Sequence, residues 1–97
     1  MQSSLLGGKT IIVTGGATGI GQAFALTSAA HGARVMVADL NSADETLDLI
    51  KSNGGEASYI KTDVSDEASA KAMAQAAVKW SGRVDGLINN AAYFREV

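Results

Sequence analysis

Thr14-Gly15-Gly16-Ala17-Thr18-Gly19-Ile20-Gly21 is the stretch on which the reading of this chain turns. On its amino-terminal side lies Lys9-Thr10-Ile11-Ile12-Val13, a short β-branched run of the kind that forms a buried strand. On its carboxyl side Ile20, Ala23, Phe24, Leu26 and Ala30 recur at helical spacing and predict one apolar helix face, stopped at His31-Gly32. The glycines therefore sit at a strand-to-helix corner. Glycine there lets the backbone turn sharply and approach a pyrophosphate with no Cβ in the way. The open amides and positive end of the following helix favour the phosphate charge. Glycines in a turn also arise as plain punctuation, and the position between strand and helix is what favours the phosphate reading.

Moving outward, Arg34-Val35-Met36-Val37-Ala38 is a second apolar strand closed by Asp39. Ser42 with Glu45 three residues later has the form of a capping box and predicts a helix start, with Leu47 and Ile50 inward and Asn53-Gly54-Gly55 as the stop. Ala57 to Thr62 alternates in polarity, which suits a less buried strand at a sheet edge. Ser65 or Asp66 caps a third helix whose face is Met73, Ala76, Ala77 and Trp80, and Gly82 ends it. Val84 to Asn89 reads as a fourth strand. The order is β-α-β-α-β-α-β. Such alternation implies right-handed parallel crossovers, a three-layer α/β/α stack and a doubly wound strand order of 3-2-1-4. Strand four would then have nothing on its outer side, leaving Leu87 and Ile88 on an open edge.

At 97 residues the chain is at most one small domain, and 46% hydrophobic with 19% charged residues is the make-up of a packed protein. A net charge of -2 gives no basic footprint for nucleic acid. Without cysteine there is no disulfide framework or thiolate metal site, and with His31 as the one histidine a metal site is not expected. His31, at a helix end where an imidazole suits the dipole, reads as structural. The first residues lack a signal-peptide pattern, no apolar stretch reaches bilayer length, and the chain reads as a cytoplasmic protein with no membrane partner.

Asp39 falls about 20 residues after the loop glycines, at the end of the second strand, where a carboxylate accepts hydrogen bonds from adenosine ribose hydroxyls. It would repel a 2′-phosphate, so it selects NAD over NADP. The competing reading is a solvated aspartate opening the Asn41-Ser42 turn.

The glycines do not follow G-x-G-x-x-G, because Phe24 stands where the last glycine would fall if the pattern began at Gly19. They read T-G-x-x-x-G-x-G from Thr14, and in this the chain resembles the short-chain dehydrogenase/reductase family, along nearly its whole length. The resemblance implies a Rossmann-type fold and a set of cofactor contacts. Gly15, Gly19 and Gly21 would serve the phosphates, with Thr18 and Ile20 adding backbone contacts. Asp39 and Leu40 would flank the adenosine ribose, and Thr18 and Leu40 stand where NADP-preferring relatives often carry a cation. Asp63 and Val64 would lie at the adenine; taken alone, Asp63 is ordinary strand-end polarity before the Ser65/Asp66 cap. Asn89-Asn90-Ala91-Ala92 is similar to the family's N-N-A-G motif, which would put Asn90 and Ala91 beside the adjoining ribose. Ala92 departs from that motif, at a cost of about 1 kcal/mol if the position needs positive φ. Tyr93 and Phe94 line a substrate pocket or anchor a hydrophobic loop, and the residues favour neither.

The family's chemistry uses a Ser, a Tyr and a Lys, with the last two spaced Y-x-x-x-K. Here Tyr59 is followed four residues on by Asp63, and Tyr93 by Val97, so no residue is assigned as catalytic. The expectation is that residues 1–97 are the amino-terminal, NAD-binding part of one Rossmann domain, truncated before its catalytic half. The parent would move a hydride between NAD(H) and an alcohol or carbonyl substrate, and would be a homo-oligomer, dimer or tetramer, by resemblance. The alternatives are a stand-alone, non-catalytic dinucleotide-binding module and an inactive fragment.

Overall fold

Every strand and helix expected from the sequence is present in the computed structural model, which describes residues 5–90. They are β1 (Thr10–Thr14), α1 (Gly19–Ala30), β2 (Arg34–Asp39), α2 (Asp44–Ser52), β3 (Glu56–Lys61), α3 (Glu67–Ser81) and β4 (Gly86–Asn89). The strands are parallel and ordered β3-β2-β1-β4. Thr14 pairs with Ala38 on one side and Asn89 on the other, and Asp39 pairs with Lys61. The carboxyl ends of all four strands are thus level, and the residues just past them share one rim.

Alternation along the strands divides the core in two. Ile11, Val13, Val35 and Val37 face α1 and α2, where they meet Ala25, Ala29 and Ile50. Ile12, Met36 and Ala38 face α3 and pack with Met73 and Ala77. Three layers result. β3 is at the edge of the sheet, as its alternating pattern predicts, and β4 pairs only with β1 among the described residues. Leu87 on that strand is 54% exposed, while Ile88 packs against the core.

The face predicted for α1 is not the one that is buried. Ile20 is 68% exposed and Phe24 42%, whereas Gly21, Ala25, Ser28 and Ala29 turn inward. Small side chains at this spacing let the helix lie close on the sheet, and close approach outweighs the size of the apolar groups displaced outward. The capping box at Ser42 and Glu45 does not form either. α2 starts at Asp44 with Ala43 at its N-cap, and Ser42 Oγ accepts a bond from the Asp44 amide at 3.4 Å instead. Asp44 and Glu45 in the first turn complement the dipole.

In α3 the predicted cap is made by Asp66, whose Oδ1 accepts from the Ala68 amide at 3.1 Å. Gly82 closes the helix at φ 85°. Trp80, expected on the buried face, is 36% exposed. The inward row runs Met73, Ala77 and on to Ser81, whose hydroxyl oxygen accepts from Thr10 Oγ1 at 2.8 Å, so the neighbouring indole is left partly exposed. His31 stands at the C-cap of α1, and its Nδ1 is buried without a hydrogen-bond partner among the described residues.

Candidate functional site

The corner between β1 and α1 is shaped by what a side chain would hit. A Cβ on Gly21 would overlap the Gly15 carbonyl oxygen and lie 2.6 Å from its carbon and 2.8 Å from Asn90 Nδ2. Helix and loop are in direct backbone contact there, and no larger residue fits. Gly19 opens the helix at φ 59°, a conformation that costs other residues about 1 kcal/mol.

The start of α1 differs from the other helices in its chemistry. α2 has Asp44 and Glu45 in its first turn and α3 has Glu67 behind its Asp66 cap. α1 has no acidic residue in its first turn, and its N-cap, Thr18, makes no side-chain cap bond. Its positive end is met by no acidic side chain of its own first turn and no side-chain cap.

Around that corner runs a cleft of about 330 Å³ lined by Gly15, Thr18, Asp39, Leu40, Asn41, Thr62, Asp63, Val64, Ser65 and Asn90, with Ala38 at its floor. A size of this order suits a small-molecule site. It lies at the carboxyl ends of the strands, beside the point between β1 and β4 where the strand order reverses. The structure thus brings together Gly15, Thr18, Asp39, Leu40, Asp63, Val64 and Asn90 from the residues singled out in the sequence. Gly19, Ile20 and Gly21 are not on its lining: Gly21 is buried under Gly15, and Ile20 points to the outside of α1. Ala91 and Ala92 lie outside the described residues, as do Tyr93 and Phe94. A second groove, between α1 and α2, is lined by Leu26, Leu49 and Ile50 among others and carries no charged side chain.

Asp39 is held in place on several sides. Its Oδ2 accepts from the Ala17 amide and its Oδ1 from the Asn41 amide, each at 3.0 Å. Its own carbonyl accepts from the Thr62 amide at 3.0 Å and from the Tyr59 hydroxyl at 2.9 Å. Burial, with the Asp39 and Asp44 charges nearby, raises the Tyr59 phenol above its ordinary value, so it remains a donor. Asp63 Oδ1 accepts from the Ser65 hydroxyl at 2.6 Å and the Ser65 amide at 3.0 Å, and these bonds hold its carboxyl below the ordinary range. Asp63 therefore both makes the local turn and lines the cleft.

The asparagine pair ties strand ends together. Thr14 Oγ1 donates to Asn89 Oδ1 at 2.9 Å and accepts from the Asn90 amide at 3.0 Å, while Asn90 Nδ2 donates to the Gly15 carbonyl at 3.4 Å. Missed in the sequence were Asn41, Thr62 and Ser65 on the lining and Thr46 behind the glycine loop. Thr46 is fully buried, and it falls four residues before Ile50 on the inward face of α2, which is the pattern that could have drawn notice. Among the described residues no three His, Asp or Glu side chains gather as a metal site.

A parallel sheet in the order 3-2-1-4, clothed by helices and hollowed at its switch point, defines the doubly wound Rossmann-like class. Within that class the chain belongs to the short chain dehydrogenase family, whose model matches residues 9–97. It is 48% identical over 90 residues to the uncharacterized oxidoreductase YxbG of Bacillus subtilis, covering 91% of this chain and 33% of that protein. The crystal structure of hydroxysteroid dehydrogenase from Escherichia coli superimposes with a TM-score of 0.87 at 40% identity, over 91% of this chain and 38% of that one. The chain spans about a third of the length of such relatives. It also matches the short-chain dehydrogenase/reductase homolog YusS of Bacillus subtilis, 41% identical over 92 residues, which is 92% of this chain and 84% of that protein.

Proposed function

We propose that this chain is the NAD-binding part of an oxidoreductase that moves a hydride between NAD(H) and an alcohol or carbonyl substrate. The observation that carries the reading is the cleft at the strand ends, where an uncapped helix start, the bare corner at Gly15 and the Asp39 carboxylate converge. These residues fit a dinucleotide: the corner around Gly15, Thr18, Gly19 and Gly21 would hold the diphosphate by its amides. Asp39 and Leu40 would flank the adenosine ribose, Asp63 and Val64 the adenine, and Asn90 with Ala91 and Ala92 the neighbouring ribose. Ile20 would contribute through its backbone. The nicotinamide, once bound, would supply two-electron transfer to or from a carbon; the residues here would hold the adenosine, diphosphate and neighbouring ribose of the cofactor that carries it.

NAD is favoured over NADP because the lining has two carboxylates and no Lys or Arg to meet a 2′-phosphate. In this proposal residues 1–97 form the amino-terminal cofactor-binding part of one domain, the parent is a cytoplasmic homo-oligomer, and the Ser, Tyr and Lys groups lie outside these residues. No helix among the described residues is long and apolar enough to cross a membrane. One observation favours a second reading, a binding module without turnover: the chain covers 84% of YusS. Titration of the chain with NAD and NADP tests the proposal. Saturable binding with NAD preferred is expected, and absence of binding to either removes it. Turnover by the 97-residue chain alone is not expected on either reading.

A further inference from the structure

The glycine loop is held from behind by a helix that lines none of the cleft. Thr46 of α2 is fully buried, and a buried hydroxyl is costly unless its bonds are made. Thr46 Oγ1 donates to the Gly16 carbonyl at 2.8 Å, lies 3.2 Å from the Ala17 carbonyl, and accepts from Gln22 Nε2 at 3.1 Å. Both its donor and its acceptor capacity are used. Gln22 belongs to α1, so this one hydroxyl joins α1, α2 and the loop between β1 and α1.

The consequence follows from peptide geometry. All described peptides are trans, and in a trans peptide the C=O and N–H point in opposite directions. Fastening the Gly16 and Ala17 carbonyls to Thr46 turns the amides of Ala17 and Thr18 away from α2. The Ala17 amide meets Asp39 Oδ2 at 3.0 Å, and Thr18 stands on the cleft wall. Two consecutive peptide planes at the corner are thereby set from the far side.

We propose that Thr46, backed by Gln22, is a positioning residue that presets the peptide planes of the loop, with the Ala17 amide taken by Asp39 and Thr18 left on the cleft wall, so that the seat of α2 tunes affinity for the diphosphate portion of the ligand. This inference rests on reading the cleft as a dinucleotide site. Thr46 touches the ribose side only at one remove, through the Ala17 amide on Asp39 Oδ2, and Asp39 is also held at Oδ1 by the Asn41 amide, so its effect falls mainly on ligands that carry phosphates.

The test compares ADP with adenosine, titrated into the 97-residue chain and followed by amide NMR shifts, alongside thermal melts. Thr46→Val keeps the shape and removes the hydroxyl; Thr46→Ser keeps the hydroxyl and removes a methyl. Loss of one buried hydrogen bond predicts ADP binding about three- to tenfold weaker for T46V. Adenosine affinity should stay within about twofold, and T46S should retain most of the ADP affinity. Should T46V fail to fold, Gln22→Met removes only the bond behind Thr46 and is expected to weaken ADP about twofold with adenosine unchanged. Equal losses for both ligands, or wild-type ADP affinity in T46V and Q22M, overturns the inference while leaving the cleft reading intact. Failure of the wild-type chain to bind either ligand overturns the cleft reading and this inference with it.

Discussion

Asp39→Asn removes one charge from the cleft and almost no volume. In the wild-type chain both carboxylate oxygens already accept backbone amides, from Ala17 and Asn41, each at 3.0 Å. Each oxygen retains a further lone pair, so ribose hydroxyls can be accepted without breaking these bonds. An amide offers one acceptor oxygen, so one of the two backbone bonds is lost, and hydroxyls lose a charged acceptor. That weakens NAD by about 1–2 kcal/mol. NADP suffers the same loss but is relieved of a like charge. At about 4–5 Å and an effective dielectric constant of about 40–80, each unit of 2′-phosphate charge repels the carboxylate by about 1–2 kcal/mol. NAD is therefore weakened while loss and relief about cancel for NADP, and the NAD-to-NADP affinity ratio should fall about five- to thirtyfold for each unit of 2′-phosphate charge. Calorimetry of the chain with both nucleotides, at low and high salt, reads this directly. High salt should also narrow the wild-type ratio, since the penalty on NADP is electrostatic. A ratio unchanged within about twofold in D39N would refute the assignment of this carboxylate to the ribose.

Gly21→Ala places a methyl into the Gly15 backbone and should cost about 1–3 kcal/mol or more of stability, read as a drop in the melting midpoint, together with loss of nucleotide binding; normal binding would show that helix and loop need not touch. Leu87→Lys on the exposed strand β4 should leave the melting midpoint nearly unchanged and reduce any self-association seen by sedimentation, because a charge on an open edge discourages pairing. Asp63 and Asp85 both sit below the ordinary carboxyl value of 3.8, Asp63 through Ser65 and Asp85 through Arg83 and the Thr10 amide. Carboxyls depressed by folding stabilise the native state fully above that value, and the contribution is lost as pH falls through their lower folded values. Melting midpoints should therefore decline on acidification below about 4, and Asp85→Asn should shallow that decline while lowering the midpoint at neutral pH. A D85N profile parallel to wild type would exclude Asp85 as a source of the slope.

Much of this molecule was legible in one dimension. The β-branched runs, the glycine stops at Gly32, Gly54 and Gly82, and the alternation of strands with helices determined a parallel sheet in the order 3-2-1-4, because local periodicity and crossover handedness leave few other arrangements. Strand ends are also sequence positions, so Asp39, Asp63 and Asn90 could be placed on one rim before any coordinates. What the tertiary structure alone decided were matters of contact between distant segments. Which side of α1 is buried depended on how near the helix lies to the sheet, and that favoured Gly21 and Ala25 over Ile20 and Phe24. The grip of Thr46 on the loop 30 residues away, and of Tyr59 on the Asp39 carbonyl, comes from the packing of α2 and β3 against their neighbours. Spacing along a chain tells which residues share an element; only packing tells which atoms of two elements meet.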